Sequence, residues 1–588
     1  MRCARVTVDV TAVARHFDYS VPDAFADGVR VGTIVRVPLH GRRVRAWVIA
    51  DDVVPDTDLD RLLPIAKVVG AGPPAELLDL ARWAAHRWVG SEVALYRAAS
   101  PPNAVRDPWP EPAPAPVVGI ASSVEVLAFP PAADRRDLIA ERLASAGSSL
   151  VLVPDGARLG ALVRDLERRG HRVLVLRSDL DDAARTRAWS LARRGGVVVI
   201  GGRTAVWAPV PDLAAVVVLD EADEAYQEER APTWHARDVA IERARRVGAR
   251  VALVGAAPSP EAQVWAPTVT RPGSAIERSG WPTVDVVDLR DEVPGHGLLT
   301  DALAGALRRT VDAGDRAVCV LNRKGRAKLL TCLSCSTVAA CERCEAAVIE
   351  SDTGTLVCPR CATTRPLICL ACHHTKLRAS RLGIQKLRDA LAALLPRTEI
   401  AWLDASVEEL PDAPVIVGTE AVLHRAAPKL VAFLDLDQEL FAHRIRATQQ
   451  AATLVARAAR VVGPRARGGR LLVQTHHPDH PVLEWAVHAD PSLVMEAERH
   501  RRELLGAPPF GAVAEISGDP DAVRAMVAAV PPALRVVGPS EQGTGLAALV
   551  FAAAADVLAD GLAEPARVGR AAASARGRLR VAVDPPRI

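Results

Sequence analysis

The stretch "LAAVVVLDEAD", residues 213–223, decides the fold class of this chain. Every residue before its acids is apolar, which indicates a strand buried on both faces of a sheet. Similar runs occur at 148–154 ("SSLVLVP") and 250–258 ("RVALVGAAP"), and helical stretches such as "GARLGALVRDLERRG" lie between the strands. Apolar strands that alternate with amphipathic helices predict a parallel sheet with helices on both faces.

A second set of apolar runs follows the first. It begins at 316–327 ("RAVCVLNRKGRA") and continues through 413–420 ("APVIVGTE"), 430–437 ("LVAFLDLD") and 469–475 ("GRLLVQT"). This set predicts a second α/β lobe, and a cysteine-rich insert interrupts its sequence.

The ends of the chain differ from the two lobes. Residues 3–50 alternate between apolar and polar side chains, which predicts a small β domain followed by helices over 75–97. The proline-rich stretch 101–119 predicts a linker. The predicted units are therefore 1–105, the linker 106–122, the first lobe 123–290, the second lobe 291–331 with 373–490, the insert 332–372 and an α+β segment 491–588.

Composition limits the classes of protein. The chain has 588 residues, with 73 basic against 70 acidic side chains and a net charge of +3. This balance alone does not call for nucleic acid. Neither an apolar run of membrane-spanning length nor a signal peptide is found, so a cytoplasmic protein is expected. In that compartment, clustered cysteines indicate metal rather than disulfides.

Eight of the ten cysteines form four C-x-x-C pairs within residues 332–372, separated by gaps of five, thirteen and seven residues. Two such pairs complete a tetrahedral site of four thiolates, so eight thiolates suit two closed zinc sites that organise structure. Buried cysteines or a redox dithiol are the alternatives. Sequential, alternating and nested pairings are all possible, and the gap of thirteen favours nesting. The nested sites are Cys332, Cys335, Cys369 and Cys372 for one ion, and Cys341, Cys344, Cys358 and Cys361 for the other.

Asp220 and Glu221 follow the predicted strand 213–219. Such a pair can hold Mg²⁺ beside a nucleotide, although a solvated strand end has the same pattern. A nucleotide site also needs a glycine-rich loop with a lysine. The stretch "VEVLAFPPAADRRDLIAERL" has no such motif, and no lysine occurs between Lys67 and Lys324.

The cysteine spacing and several blocks around it resemble the primosomal protein N′ (PriA) family of replication-restart helicases. "LNRKGRAKLLTC", "GIQKLRDAL" and "QTHHPDHPVL" resemble family blocks in the second lobe, and "VVVLDEADEAYQEERAPTWHARDVA" resembles one in the first. "HFDYSVP" and "VGTIVRVPLHGR" resemble the family's domain for the DNA 3′ end, and "ERHRRELLGAPPF" with "VAVDPP" its C-terminal domain. In that family the zinc ribbons are built as nested pairs.

Departures from the family pattern are concentrated in the ATPase motifs. The glycine-rich loop is absent. In the arginine motif, which corresponds to "TLVARAAR" (453–460), Arg457 and Arg460 remain while both glycines are replaced by alanine. The linker leaves no room for the family's winged-helix domain. The resemblance therefore implies RecA-like helicase lobes that have lost helicase activity, in which Asp220 and Glu221 are remnants and ATP with Mg²⁺ is doubtful.

The resemblance also implies partners. They are forked DNA, 3′ ends and single strands, together with primosome or helicase-loading proteins and single-strand-binding protein, at the nucleoid in the cytoplasm and without a membrane. Phe17 and Asp18 match the family's pocket for a 3′ terminus. Arg323 and Lys324 are expected to contact phosphates, although a solvated face is the plainer interpretation of that cluster.

Three rival functions stay open. The first is an active 3′–5′ helicase with an unconventional phosphate loop, which predicts DNA-stimulated ATP hydrolysis. The second is a thiol redox or metal-handling protein, which predicts thiols that react while zinc is bound. The third is a zinc-ribbon DNA-binding protein unrelated to restart, which predicts no preference for branched over linear duplex DNA.

Overall fold

The computed structural model describes the chain except residues 1, 12, 14, 57, 59–60, 107–122, 155–158, 178, 293–297, 322–328, 352–353, 380–383, 404–409 and 575–576. Its multidomain α/β architecture confirms the predicted fold class. Within the described residues, no helix is both long enough and apolar enough to cross a bilayer.

The N-terminal unit is an antiparallel sheet with the strand order β2-β1-β4-β3-β5. Alternation along its strands produces two faces. Val6, Val35 and Val48 pack on one face, whereas Ile34 and Trp47 on the other meet two helices. The elements are β1 (Cys3–Val8), β2 (Phe17–Ser20), β3 (Thr33–Leu39), β4 (Arg42–Asp51), β5 (Lys67–Ala71), α1 (Ala75–Arg87) and α2 (Glu92–Ala99).

The first lobe has a parallel sheet with the order β12-β6-β11-β10-β7-β9-β8. The central strand β10 is apolar because helices cover both of its faces. The elements are β6 (Val124–Ala128), α3 (Arg136–Arg142), β7 (Ser148–Leu152), α4 (Leu159–Arg168), β8 (Val173–Leu176), α5 (Asp182–Ala192), β9 (Val198–Gly201), β10 (Leu213–Leu219), α6 (Ala236–Val247), β11 (Arg250–Gly255), α7 (Pro260–Gln263), β12 (Val269–Thr270) and α8 (Ser274–Ser279).

The second lobe has a parallel sheet with the order β13-β23-β22-β14-β21-β20, and the cysteine-rich insert adds β15 to β19 in two small sheets. The elements are β13 (Thr283–Asp288), α9 (Asp301–Asp312), β14 (Ala317–Val320), β15 (Leu330–Cys332), β16 (Ile349–Glu350), β17 (Thr355–Val357), β18 (Thr364–Pro366), β19 (Leu377–Ala379), α10 (Ile384–Leu394), β20 (Ile400–Leu403), β21 (Val415–Gly418), β22 (Leu430–Phe433), α11 (Asp437–Leu440), α12 (Ala447–Val462), β23 (Arg470–Thr475), α13 (Pro481–His488) and α14 (Ser492–Leu505).

Two predicted boundaries differ from the structure. The strand β13 lies before the predicted start of the second lobe at 291, yet it pairs with β23 of that lobe. The helix α14 lies after the predicted end at 490, yet it packs on α12 and α13. The reason is that strand pairing and helix packing are long-range contacts, which composition along the chain does not report.

The C-terminal unit is an antiparallel sheet with the order β25-β26-β24-β27 and two helices. One buried cluster joins it to the first lobe and to α1 and α2 of the N-terminal unit. Thr233 also donates a hydrogen bond to the carbonyl of Val583 at 2.8 Å. These three units therefore share one core. The elements are β24 (Ala512–Gly518), α15 (Pro520–Ala528), β25 (Arg535–Gln542), β26 (Gly545–Ala552), α16 (Ala555–Ala572) and β27 (Leu579–Val583).

Candidate functional site

The four C-x-x-C turns have the same local geometry. In each turn the carbonyl of the first cysteine accepts a backbone N–H from the fourth residue after it, at 2.9 to 3.0 Å. The residue after the second cysteine has a left-handed backbone, with φ between 58° and 62°. This turn points both sulfur atoms to one side. The left-handed residues are Ser336, Glu345, Ala362 and His373.

The turns combine in the nested arrangement. In each group of four, all the sulfur atoms lie within 4.8 Å of one another, and the groups are Cys332, Cys335, Cys369 and Cys372, and Cys341, Cys344, Cys358 and Cys361. We call them the outer and the inner site. Sulfur–sulfur distances of 3.4 to 3.6 Å are close to the edge of about 3.8 Å expected for a tetrahedron with metal–sulfur bonds of about 2.3 Å. Two metal ions therefore fit.

The inner site is attached to the second lobe through backbone groups. Arg360, inside the third C-x-x-C pair, donates hydrogen bonds to the carbonyls of Ala442 at 2.5 Å and His443 at 3.1 Å. The N–H of Ala347 donates to the carbonyl of Phe441 at 2.9 Å. Burial lowers the pKa of Arg360 to about 10. The geometry of this site is thereby coupled to the segment between α11 and α12.

The segment "QTHHPDHPVL" surrounds a buried carboxylate next to this attachment. Asp437 is fully buried and accepts hydrogen bonds from the backbone and ring of His476, at 2.9 and 2.8 Å, and from the hydroxyl of Thr475. Burial, and then repulsion by Asp437, raise the pKa of Asp435 to about 7. Burial lowers the pKa of His476, but Asp437 outweighs burial and raises that pKa above its ordinary value. We interpret this cluster as structural, because protein groups satisfy Asp437.

Asp220 lies between the two lobes and is bound by two arginines. Arg135, at the start of α3, donates to it at 2.9 Å, and Arg460 of α12 donates to both of its oxygens. Arg460 also donates to the carbonyl of Pro131 at 3.1 Å. Burial alone would raise the pKa of Asp220, but Arg135 and Arg460 outweigh it and hold that pKa well below its usual range. This carboxylate is neither solvated nor free for a metal ion.

Glu221 points to different partners from those of Asp220. Asp220 has a left-handed backbone (φ 51°), and Glu221 then turns into the core of the first lobe. There Glu221 accepts hydrogen bonds from the backbone and hydroxyl of Ser259, at 2.7 and 2.8 Å, and from Arg237 at 2.9 Å. The two acids that the sequence marked as remnants of a magnesium site therefore do not converge on one point.

A second ion pair joins the lobes close to the first. Arg457 of α12 donates to Asp223 at 2.6 Å, and the side chain of Asp223 is 4 % exposed. These contacts border a cavity of about 320 Å³ between the lobes, with a largely apolar lining. The structure thus brings Asp220, Arg457 and Arg460 to one side of the cleft, where Arg460 pairs with Asp220 and Arg457 pairs with Asp223.

The sequence motifs did not single out Arg135, because a phosphate-binding loop is recognised by a lysine. It follows β6 and begins α3, the strand–loop–helix position in which a phosphate-binding loop places its lysine. Its side chain is only 10 % exposed, and two of its nitrogens, Nε and Nη2, have no hydrogen-bond partner among the described residues. The signal in the sequence that could have found Arg135 is a cation shortly after the strand, in "PPAADRRD".

In the N-terminal unit, Asp18 is already paired. Both of its oxygens accept from Arg5, at 2.8 and 2.9 Å, and one accepts the N–H of Asp56. Its side chain is 6 % exposed. The neighbouring Phe17 is partly exposed, and the guanidinium of Arg15 lies 4.7 Å from the centre of its ring.

The other predicted DNA contacts, Arg323 and Lys324, lie outside the described residues.

The fold and these sites define a two-lobed α/β protein with two parallel sheets and a cysteine-rich module in its second lobe that could hold two metal ions. The family model "3′DNA-binding domain (3′BD)" of PriA matches residues 5–101. The chain is also similar to proteins named replication restart protein PriA over most of its length. These matches agree with the resemblance to the PriA family that the sequence blocks indicate.

Two of these relatives show the extent of the similarity. The probable replication restart protein PriA of Mycobacterium bovis is 28% identical over 584 residues, covering 89% of this chain and 87% of that protein. The replication restart protein PriA of Haemophilus influenzae is 28% identical over 397 residues, covering 63% of this chain and 54% of that protein. The match thus spans about half the length of the Haemophilus relative.

Among solved structures, Dbp5 of S. cerevisiae bound to RNA and ADP BeF3 aligns with 65% of this chain and 89% of its own, at 8% identity and a TM-score of 0.34.

Proposed function

We propose that this chain is a replication-restart protein that binds stalled or abandoned forks and recruits replisome-loading partners, without hydrolysing ATP or unwinding DNA. The observation that carries the proposal is the pairing of Asp220 with Arg135 and Arg460 across the cleft between the lobes. The DNA-binding family model over residues 5–101 and the names of the relatives support the fork as the ligand.

The loss of ATP hydrolysis follows from what phosphoryl transfer needs. A nucleotide site of this type holds phosphates with backbone amides and a lysine, and holds Mg²⁺ with an acid at the end of a strand. Here Pro130 and Pro131 lack an N–H at the loop, and Asp220 is neutralised by protein cations. The arginine that would stabilise the transition state is bound to that same acid. The missing contributions amount to several kcal/mol, which removes orders of magnitude in rate.

Zinc is the metal we assign to the inner and outer sites. Four thiolates in a closed tetrahedron favour Zn²⁺, and such sites stabilise folding rather than catalyse. Because the inner site is attached to the second lobe through Arg360, its ion would hold the insert in a fixed orientation. The insert would then serve as a surface for the proteins that load the replicative helicase.

We propose a DNA contact for each of the following residues. Phe17 would stack on a base at a 3′ terminus, Asp18 would orient Arg5 beside it, and Arg323 and Lys324 would contact phosphates. Primosome or helicase-loading proteins and single-strand-binding protein are the proposed protein partners, through the family resemblance.

The deciding experiment measures nucleotide turnover and fork binding together. Purified protein is incubated with ATP and Mg²⁺, with and without a DNA fork, and phosphate release is measured beside fork affinity. We expect tight fork binding with no turnover above a blank. Fork-dependent hydrolysis that Asp220→Asn abolishes would refute the proposal and support the helicase rival.

A second candidate is nucleotide binding without turnover. It is favoured by the two unbonded nitrogens of Arg135 beside the cavity of about 320 Å³, which could bind an anion. Equilibrium binding of a labelled ATP analogue to wild type and Arg135→Gln distinguishes it. Binding that Arg135→Gln removes would support this candidate.

A further inference from the structure

A row of cations crosses one face of the N-terminal sheet. Lys67 on β5 is the direct neighbour of Arg36 on β3, and Arg36 is the direct neighbour of Arg45 on β4. Directly opposed residues point to the same face of a sheet. Arg43, two residues from Arg45 on the same strand, shares that face because side chains alternate along a strand. We call Lys67, Arg36, Arg45 and Arg43 the basic row.

The row is exposed and almost without acidic partners. Lys67, Arg36 and Arg43 are exposed, and none of them forms an ion pair within the described part of the chain. The acid next to Arg45 is Asp9, which is already bound by Arg97 at 2.6 Å. The row therefore carries a concentrated, uncompensated positive charge.

This arrangement has a cost for the folded protein. Like charges directly opposite each other destabilise a sheet. Burial lowers the pKa of Arg45, Asp9 opposes this shift, and the neighbouring Arg36 and Arg97 add to it. The other face of the same strands has a conventional apolar core with Val35, Val37 and Val48. A repulsive row at exposed positions indicates a ligand that supplies the missing negative charge.

We infer that the phosphate backbone of a fork's DNA lies across the basic row, as a second contact apart from the 3′ end. This inference rests on the proposed function, since it takes DNA to be the ligand of the unit. Asp18 lies on β2 and Arg45 on β4, two strands away in the sheet and about four residues further along the strand direction. The two positions are therefore about 16 Å apart. The row therefore contacts other phosphates than those of the terminal nucleotide.

The test compares the salt dependence of DNA binding. A variant with Arg36→Gln, Arg43→Gln and Lys67→Gln removes three exposed cations and leaves the partly buried Arg45 in place. Each phosphate contact contributes about 0.7 to the slope of log K against log salt for single strands, so the slope should become shallower by about 2. The loss should appear with oligo-dT of about 12 nucleotides, which is long enough to run from the terminal nucleotide across the row.

The matched control is Arg42→Gln. Arg42 is exposed and adjacent to Arg43, but it lies on the opposite face of β4. We expect Arg43→Gln alone to reduce the slope by about 0.7 and Arg42→Gln to leave it unchanged. Thermal unfolding of the triple variant should be no lower than that of wild type, because the substitutions relieve repulsion.

The outcomes separate the inference from the proposed function. If wild type binds forks and the triple variant has the same slope, the inference is wrong and an acidic protein segment becomes the ligand to consider. Equal losses from Arg42→Gln and Arg43→Gln also overturn it, because they show nonspecific charge. If wild type binds no DNA, the proposed function itself fails.

Discussion

Replacing Asp220 by asparagine should destabilise the protein through the cation that it leaves behind. Asp220 neutralises Arg135 and Arg460, whose side chains are 10% and 32% exposed. Burial and then the charge of Arg460 lower the pKa of Arg135 to about 10, although Asp220 opposes them. Asparagine keeps the shape of the side chain but removes the charge. The change therefore leaves Arg135 buried without a counter-ion.

The magnitude follows from the burial. Removing one partner of a buried ion pair costs about 3–5 kcal/mol, and the partly exposed Arg460 pair adds less. We therefore expect Asp220→Asn to lower the free energy of unfolding by about 3–4 kcal/mol at neutral pH. Because the folded pKa of Asp220 lies below its ordinary value of 3.8, its contribution is present above that pH and is lost as the pH falls.

The assay is denaturant unfolding with a matched control. Asp285 pairs with Arg470 at 2.7 Å in the second lobe, but both side chains are more than a third exposed. Asp285→Asn should therefore cost less than about 1 kcal/mol. Adding Arg135→Met to Asp220→Asn should recover about 2 kcal/mol, because it removes the stranded charge. Equal costs for the Asp220 and Asp285 variants would refute the reasoning.

The remaining predictions concern metal, pH and DNA ends. Cys341→Ser should reduce bound zinc from about two ions to about one per chain, measured by elemental analysis beside Cys319→Ala; unchanged zinc content contradicts this. Asp435, whose pKa is raised to about 7, contributes stability below pH 4 that is lost as the pH rises through 7. In Asp435→Asn, the free energy of unfolding should therefore fall less steeply between about pH 4 and pH 7 than in wild type. Parallel pH profiles for the two proteins would show that Asp435 does not contribute. Phe17→Ala should weaken binding to a fork with a free 3′-hydroxyl by about 1–3 kcal/mol. Equal affinity of wild type for 3′-hydroxyl and 3′-phosphate forks would show that the end is not read.

The inner and outer sites show how much of a site's geometry the local sequence can determine. Each C-x-x-C turn is closed by a hydrogen bond four residues along the chain, so the sequence alone decides its geometry. The apolar runs likewise predicted the two parallel sheets, because a strand buried on both faces leaves a continuous pattern. The limits were the lobe boundaries, since β13 and α14 join the second lobe through contacts with distant residues.

The pairing of charged side chains in the cleft depends on the tertiary structure alone. Adjacent in sequence, Asp220 and Glu221 suggested one magnesium site, but the turn at Asp220 sends them to Arg460 and Ser259. The partner Arg460 is 240 residues away in the chain. Motif spacing reports which groups are present, whereas Coulomb interactions depend on distances that only the packed lobes define. The sequence by itself determined the lobes and the eight cysteines that group in fours; the packing of α12 on the first lobe decided that the surviving acid and arginine bind each other.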